Sequence, residues 1–415
     1  MKRLLILFAN GFPYRISEPF LEHEYPLYKE YFDKVLIVTA CQRGEQPTRQ
    51  IDDPCIEILN DYTLSKDPLS VAEAIPGVIT DSMFYQEIKS LLLGDGFSAK
   101  KLYDLLAVSL CGNHRALLAR RWLKKHPEYE VCTLYGYWLH IPAYAAVRLK
   151  QQLKNHCYAI SRAHGFDLYL ERHPDGYLPF HRQIYSRLDE VASVSQHGKT
   201  YLRTRYGSGT KVSVSRLGAL DQSAHNPSCT RSPLRIVTCS RTIPLKRLDR
   251  VVDALCLMTD REIYWTHVGG GESQEALERY AAAKLPKNVS AAFTNTVPNA
   301  RVYQIYGEQP FHVFLNVSET EGVPVSMMEA MSFDIPVIAA AVGGTPELVD
   351  DGENGFLIPV DFTDRELARC IQRIADMGEA EYQSFREKAR RKFEGGYDAI
   401  SNYRRFLEHL REAGT

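Results

Sequence analysis

Glu321 and Glu329 stand eight positions apart in the segment SETEGVPVSMMEAMSFDIPVIAAAVGGTPE, residues 318–347. The segment begins just after an apolar run at 313–317 that reads as a strand. Glu321 falls in the turn, Gly322 permits unusual backbone angles, and Pro324 suits a first helical turn. The backbone amides that open such a helix lack internal partners and form an anion site suited to a diphosphate. Glu321 then sits at the helix mouth and Glu329 one to two turns inside. That spacing spans a nucleotide sugar, with Glu321 towards the sugar and Glu329 towards the ribose hydroxyls. It equally fits a capping acid and a solvent-facing helical acid, and spacing alone leaves both readings open.

The basic counterpart is Ser240–Lys246 (SRTIPLK), after another short apolar run. Arg241 offers a planar fork and Lys246 a compact charge, and the two together suit a departing diphosphate. Such a pair removes the need for a metal, and neither a metal nor another cofactor is expected. Gly343-Gly344-Thr345-Pro346-Glu347 follows a further strand signal and reads as a close backbone approach to a sugar or base, or as a plain tight turn. His164, in Arg162-Ala163-His164-Gly165-Phe166-Asp167, sits at a strand's carboxyl end, where either ring nitrogen can meet a sugar hydroxyl. Asn10-Gly11 makes a permissive turn after the first strand, facing donor phosphates in a two-domain enzyme. The motifs GxGxxG, GxSxG, GxxxxGK[ST] and HExxH are absent, which weakens dinucleotide, hydrolase, P-loop and zinc-protease readings.

These residues need strands to end beside them. Apolar or β-branched runs at 4–8, 35–39, 131–135, 157–160, 191–194 and 211–215 predict strands, with a helix over 18–32 between the first two. The run DQSAHNPSCTRSP at 221–233 has almost nothing to bury and reads as an interdomain connection. The pattern then restarts, with strands at 234–239, 263–268, 289–293, 313–316 and 336–339 and helices at 247–258, 323–331, 365–376, 382–393 and 399–410. The expected organisation is α/β: an acceptor-side Rossmann-like domain over 1–220, a linker, a donor-binding domain over 234–395, and a terminal helix over 396–415 returning to the first domain.

At 415 residues the chain exceeds what a single core of about 250–300 residues sustains, which also asks for two domains. A net charge of −1 argues against nucleic-acid binding. Nine cysteines, none in a CxxC pair, favour reduced core residues over a disulfide framework or zinc site. The opening MKRLLILFA has too short an apolar run for a secretory leader, and no stretch reaches the length of a membrane helix. A cytoplasmic protein, resting at most on a membrane surface, is expected.

Taken together, Arg241–Lys246, Glu321–Glu329 and Gly343–Glu347 resemble the family-4 retaining glycosyltransferases. The resemblance is strongest over residues 234–359. It implies the GT-B fold, two doubly wound Rossmann-like domains facing across a cleft, and a nucleotide-sugar donor in bacterial surface-polysaccharide assembly. By it, Arg241 and Lys246 look like the diphosphate pair, Glu321 like the acid beside the donor sugar, and Glu329 like the ribose ligand. Gly322, Val323, Pro324 and Val325 look like the donor-binding helix mouth, Gly11 like the glycine-loop contact, and Val297 like part of the nucleobase bracket. His164 looks like the histidine that holds the sugar and its developing oxocarbenium-like centre. Pro324, where glycine is common, and Phe293-Thr294-Asn295 depart from the family pattern and bear on sugar and base fit. The family implies retention, favouring same-face transfer over two displacements through a covalent intermediate.

The acceptor side is less sharply marked. Tyr135, Tyr137 and Trp138 are candidates for stacking on a sugar, and Arg15 and Glu18 for lining the same side. Residues 100–125 hold seven Lys or Arg against one acid, Asp104. They read either as a basic surface for anionic headgroups or as a helical pair covering the first sheet. The acceptor is a saccharide or a lipid-linked saccharide, and UDP is the favoured donor nucleotide over GDP or ADP. A nucleotide-sugar epimerase and a non-catalytic carbohydrate-binding protein are the competing classes.

Overall fold

Leu4 to Phe8 expose no surface at all. An unbroken apolar run of this kind suits a strand covered on both faces. In the computed structural model, which describes residues 2–15, 18–94, 96–153, 157–173 and 175–414, that run lies in Lys2–Phe8 (β1). It sits at the centre of a seven-stranded parallel sheet with Lys34–Ala40 (β2), Ile56–Asp61 (β3), Tyr129–Gly136 (β4), Tyr158–Ala163 (β5), Glu190–Ser193 (β6) and Lys211–Val214 (β7). The order is β3-β2-β1-β4-β5-β6-β7.

A second parallel sheet comprises Leu234–Cys239 (β8), Ile263–Val268 (β9), Val289–Phe293 (β10), Val313–Asn316 (β11), Val337–Ala340 (β12) and Gly355–Ile358 (β13). Its order is β10-β9-β8-β11-β12-β13. The first sheet belongs to a compact unit of Met1–Ser215 with Tyr403–Thr415, and the second to a unit of Arg216–Asn402. Both are Rossmann-like α/β units, as the sequence leads one to expect. In each, strand order reverses beside the first strand, between β1 and β4 and between β8 and β11. Open α/β sheets bind ligands outside the carboxyl ends of the strands at that reversal.

The local differences have physical causes. Residues 18–32 are not one helix: the chain is α-helical over Leu21–Glu24 and then tightens to a 3-10 turn over Tyr25–Glu30, where Pro26 has no N–H to give. Residues 100–125 are not a helical pair but lie in one 27-residue helix, Ala99–Lys125. The run 221–233 lies within the second unit and is fastened to it by Asn226. This buried amide donates to the carbonyls of Tyr306 (2.7 Å) and Gln309 (2.8 Å) and accepts from the Phe311 amide (2.8 Å). Among the described residues no helix is long and apolar enough to cross a membrane.

Candidate active site

Two loops meet at the reversal point of the second sheet. The loop after β8 carries Lys246, and the loop after β11 carries Glu321. Lys246 Nζ donates to Glu321 Oε1 at 2.6 Å, and Asn316 Nδ2 reaches the same oxygen at 3.4 Å. The helix Val325–Ser332 then begins at Pro324, whose ψ of 110° is still extended, so Pro324 is the residue before the first turn and not within it. No side chain caps this helix start. The Met327 amide donates to the Pro324 carbonyl at 3.2 Å, while the Val325 and Ser326 amides have no partner among the described residues and can meet an anion.

The loop after β12 is pressed against the same place. Gly343 has a φ of +54°, and a Cβ there would come within 2.0 Å of the Glu321 carbonyl oxygen. The Gly344 amide donates to the Gly322 carbonyl at 2.7 Å. The close approach expected of this glycine pair is thus to the protein's own backbone, and it fixes the loop that carries Glu321.

Glu329 is buried, at 7 % exposure, which removes the solvent-facing alternative. Asn299 Nδ2 donates to its Oε1 at 2.6 Å. Burial raises its carboxyl above the ordinary value, and the Asn299 hydrogen bond offsets only part of that. Val297, Val323 and Val325 are half-buried against the apolar cluster on this side of the sheet. Arg241 is exposed and its guanidinium makes no hydrogen bond or ion pair among the described residues, so the structure does not join it to Lys246.

A residue that the sequence did not single out holds the loop after β8. His267, on β9, is buried and bonds Thr238 Oγ1 through Nδ1 (2.9 Å) and Thr242 Oγ1 through Nε2 (3.0 Å). Burial lowers it to about 4, so it is neutral near pH 7. Gly269, with a φ of +135°, lets the chain pass where a Cβ would lie 2.0 Å from the Ser240 carbonyl. The signal available beforehand was only a polar residue inside an apolar strand.

In the first unit, His164 follows β5 and is 5 % exposed. Its ring lies between Tyr137 (centroids 5.0 Å apart) and Trp138 (4.5 Å). Both ring nitrogens are buried and neither has a hydrogen-bond partner among the described residues, the nearest acid being Asp167, with Oδ2 3.9 Å from Nδ1. Buried polar atoms are nearly always paired, so this vacancy suits a ligand hydroxyl. Asp167 fixes the backbone here, accepting from the His164 amide (2.7 Å) and from the Leu139 amide (2.6 Å). The Gly11 amide is already committed to Glu18 Oε2 at 2.9 Å.

Several acceptor-side expectations are corrected. Tyr135 and Tyr137 are fully buried, so neither offers a face to a sugar; Tyr135 packs on Phe406, with centroids 5.2 Å apart. Glu18 does not line a surface but is fully buried. Trp138 remains half-buried. The basic run 100–125 is partly neutralised: Arg115 is buried on Asp61 (2.9 Å), Arg121 pairs with Glu73, and Lys100 with Asp175 (2.7 Å). Arg120, Lys124 and Lys125 stay exposed.

Residues 230–392 match the family model described as glycosyl transferases group 1. The putative colanic acid biosynthesis glycosyltransferase WcaL of Escherichia coli K12 is 24 % identical over 244 residues, 57 % of this chain and 59 % of that protein. The chain therefore spans well under two thirds of this curated relative. Among solved structures, the lipopolysaccharide outer core galactosyltransferase WaaB has a TM-score of 0.70 at 15 % identity, covering 99 % of both chains. Anabaena HepE in complex with UDP-glucose has a TM-score of 0.62 at 16 % identity, covering 99 % of this chain and 100 % of that one. At these identities the likeness establishes the fold, which is GT-B.

Proposed function

We propose that this chain, whose residues 230–392 form a group 1 glycosyl transferase domain, is a retaining glycosyltransferase of surface-polysaccharide synthesis. It moves a hexosyl group from a UDP-sugar to a saccharide or lipid-linked saccharide. The observation that carries the reading is the Lys246–Glu321 pair set beside an uncapped helix start at a sheet reversal point. That arrangement supplies a cation, oriented amides and a sugar-positioning acid in one place. UDP is chosen over GDP or ADP on the strength of the HepE likeness, which extends to the fold alone.

In this reading Arg241, Lys246 and the amides at Val325 meet the diphosphate, so its charge is balanced without a metal. Glu329 accepts from the ribose hydroxyls, Val297 borders the base, and Gly322 to Pro324 shape the passage between them. Glu321 positions the donor sugar, and His164 meets one of its hydroxyls with a ring nitrogen that has no hydrogen-bond partner among the described residues. The acceptor hydroxyl attacks the anomeric carbon on the face that the diphosphate leaves. The carbon–oxygen bond to the diphosphate breaks, and the acceptor proton passes to the departing diphosphate oxygen. The protein works in the cytoplasm, and Arg120, Lys124 and Lys125 are the cations available for contact with an anionic membrane.

Calorimetric titration with UDP, GDP and ADP in EDTA, comparing wild type with Arg241→Ala and Glu329→Ala, tests the donor site. Selective UDP binding that both substitutions weaken is the expected result. Binding left unchanged by both would move the nucleotide elsewhere and overturn the assignments. The anomeric configuration of the product, read by NMR, tests retention.

A further inference from the structure

Glu18 presents a carboxylate with no solvent access. Its Oε1 accepts from the Asn10 amide (2.8 Å) and from Trp138 Nε1 (2.9 Å). Its Oε2 accepts from the Gly11 amide (2.9 Å) and the Phe12 amide (2.7 Å). Four donors on two oxygens nearly exhaust the lone pairs of a carboxylate, which is what makes a buried charge tolerable. The two turns it joins follow β1 and β4, the strands on either side of the reversal point.

From the other side, Arg115 Nη1 donates to the Ala9 carbonyl at 2.9 Å, and Asp61 Oδ2 holds Arg115 Nε at the same distance. The turn after β1 is clamped twice. His164, in contrast, has no hydrogen bond on its ring among the described residues. Packing between Tyr137 and Trp138, with the Asp167 carboxylate near Nδ1, sets its orientation instead, and Trp138 is held where it is by Glu18.

We propose that Glu18 is the positioning residue for His164, acting through the indole of Trp138 while it locks the 10–12 turn. The proposal rests on the sugar-binding role given to His164 above. Glu18 touches no substrate. Its charge is spent on three backbone amides and one indole N–H, and it joins the two turns into a seat for an imidazole that Asp167 approaches from the other side, with Oδ2 3.9 Å from His164 Nδ1. Glutamine at this position keeps the size of the side chain. Its amide group, however, turns donors towards the backbone N–H groups that the carboxylate accepts.

The test compares Glu18→Gln, Trp138→Phe and the double variant by histidine-ring NMR and by transfer kinetics. His164 signals are assigned from their loss in His164→Ala. In Glu18→Gln and in Trp138→Phe these signals are expected to shift, while those of His267 and His312 stay. Turnover is expected to fall about 10- to 100-fold with nucleotide Kd unchanged, the size that a small misplacement costs. The double variant should fall no further than the worse single one, because both act through one contact. Unshifted His164 signals in Glu18→Gln, losses that multiply in the double variant, or a nucleotide Kd that moves with turnover would each overturn the proposal. If wild type transfers no sugar, the proposed function fails, yet the NMR arm still decides whether Glu18 positions His164. If Glu18→Gln does not fold, Glu18→Asp, which shortens the side chain and draws the carboxylate away from the indole N–H, carries the same two readouts without touching the ring that packs on His164.

Discussion

Lys246 Nζ stands 2.6 Å from Glu321 Oε1, so the base after β8 and the acid after β11 neutralise each other when no donor is bound. A diphosphate has to draw Lys246 away from that acid. Both side chains are largely shielded, at 21 % and 12 % exposure, so the pair is less screened than a surface ion pair.

Two substitutions at this pair should therefore act in opposite directions on nucleotide binding. Lys246→Ala removes a charged donor and is expected to weaken UDP binding about 10- to 100-fold, the range for hydrogen bonds to charged groups. Glu321→Gln releases Lys246 and is expected to keep or tighten UDP binding while abolishing transfer. Calorimetry and a transfer assay on the same preparations check both, and UDP binding that weakens in Glu321→Gln contradicts the competition.

Gly343→Ala tests the seat of the Glu321 loop. Gly343 and Gly352 both have positive φ, +54° and +75°, but only at Gly343 would a Cβ strike backbone, the Glu321 carbonyl. Gly352→Ala should cost about 1–2 kcal/mol from the left-handed conformation alone. Gly343→Ala should cost more and also weaken nucleotide binding. Thermal melts and calorimetry separate the two, and equal costs with unchanged affinity would remove the loop contact from the account.

Glu329 bears on pH. Its folded-state carboxyl is raised by burial above the ordinary 4.5. The folded state therefore holds this proton more tightly than the unfolded state. Stability falls as pH rises from about the ordinary value through the folded one, and the cost persists at neutral pH. Glu329→Gln lacks that cost. Its melting temperature relative to wild type should be highest at neutral pH, and the gap should narrow on acidification. A gap independent of pH would show that the carboxylate is not destabilising, and UDP binding should weaken in the same variant.

Four histidines with lowered proton affinity shape the acid limb. His140 and His181 in the first unit and His267 and His312 in the second are each lowered to about 4, chiefly by burial, against an ordinary 6.5. They are neutral when folded and protonate on unfolding, so stability is lost as pH falls through that window and levels off below it. The loss is at most on the order of 3 kcal/mol per histidine. Denaturant titrations at several pH values across the window check this, with His312→Gln expected to flatten the slope for the second unit.

Much of the fold was legible because parallel strands covered on both faces need continuous apolar runs, and β1, β2 and the strands around 234–339 have them. β3 was missed because it is an edge strand: five of its six residues are only half-buried and it alternates with Glu57, Asn60 and Asp61, leaving no apolar run to read. The run 221–233 looked like a free connection because its fastening depends on one amide, Asn226, whose partners lie more than eighty residues away.

The sequence by itself determined which residues could do chemistry and which strands would end beside them, because turn residues and strand ends are local properties. It also determined the two α/β units, through the restart of the strand pattern after residue 233. Only the tertiary structure decided that Lys246 and Glu321 form a pair, that Gly343 seats the Glu321 loop, and that Glu329 is buried against Asn299. It also decided that Glu18 is buried against the 10–12 turn and Trp138 and not on a surface. The reason is that each of these depends on segments brought together by sheet order, and a charge or a glycine in a chain carries no mark of the partner that the fold will set beside it.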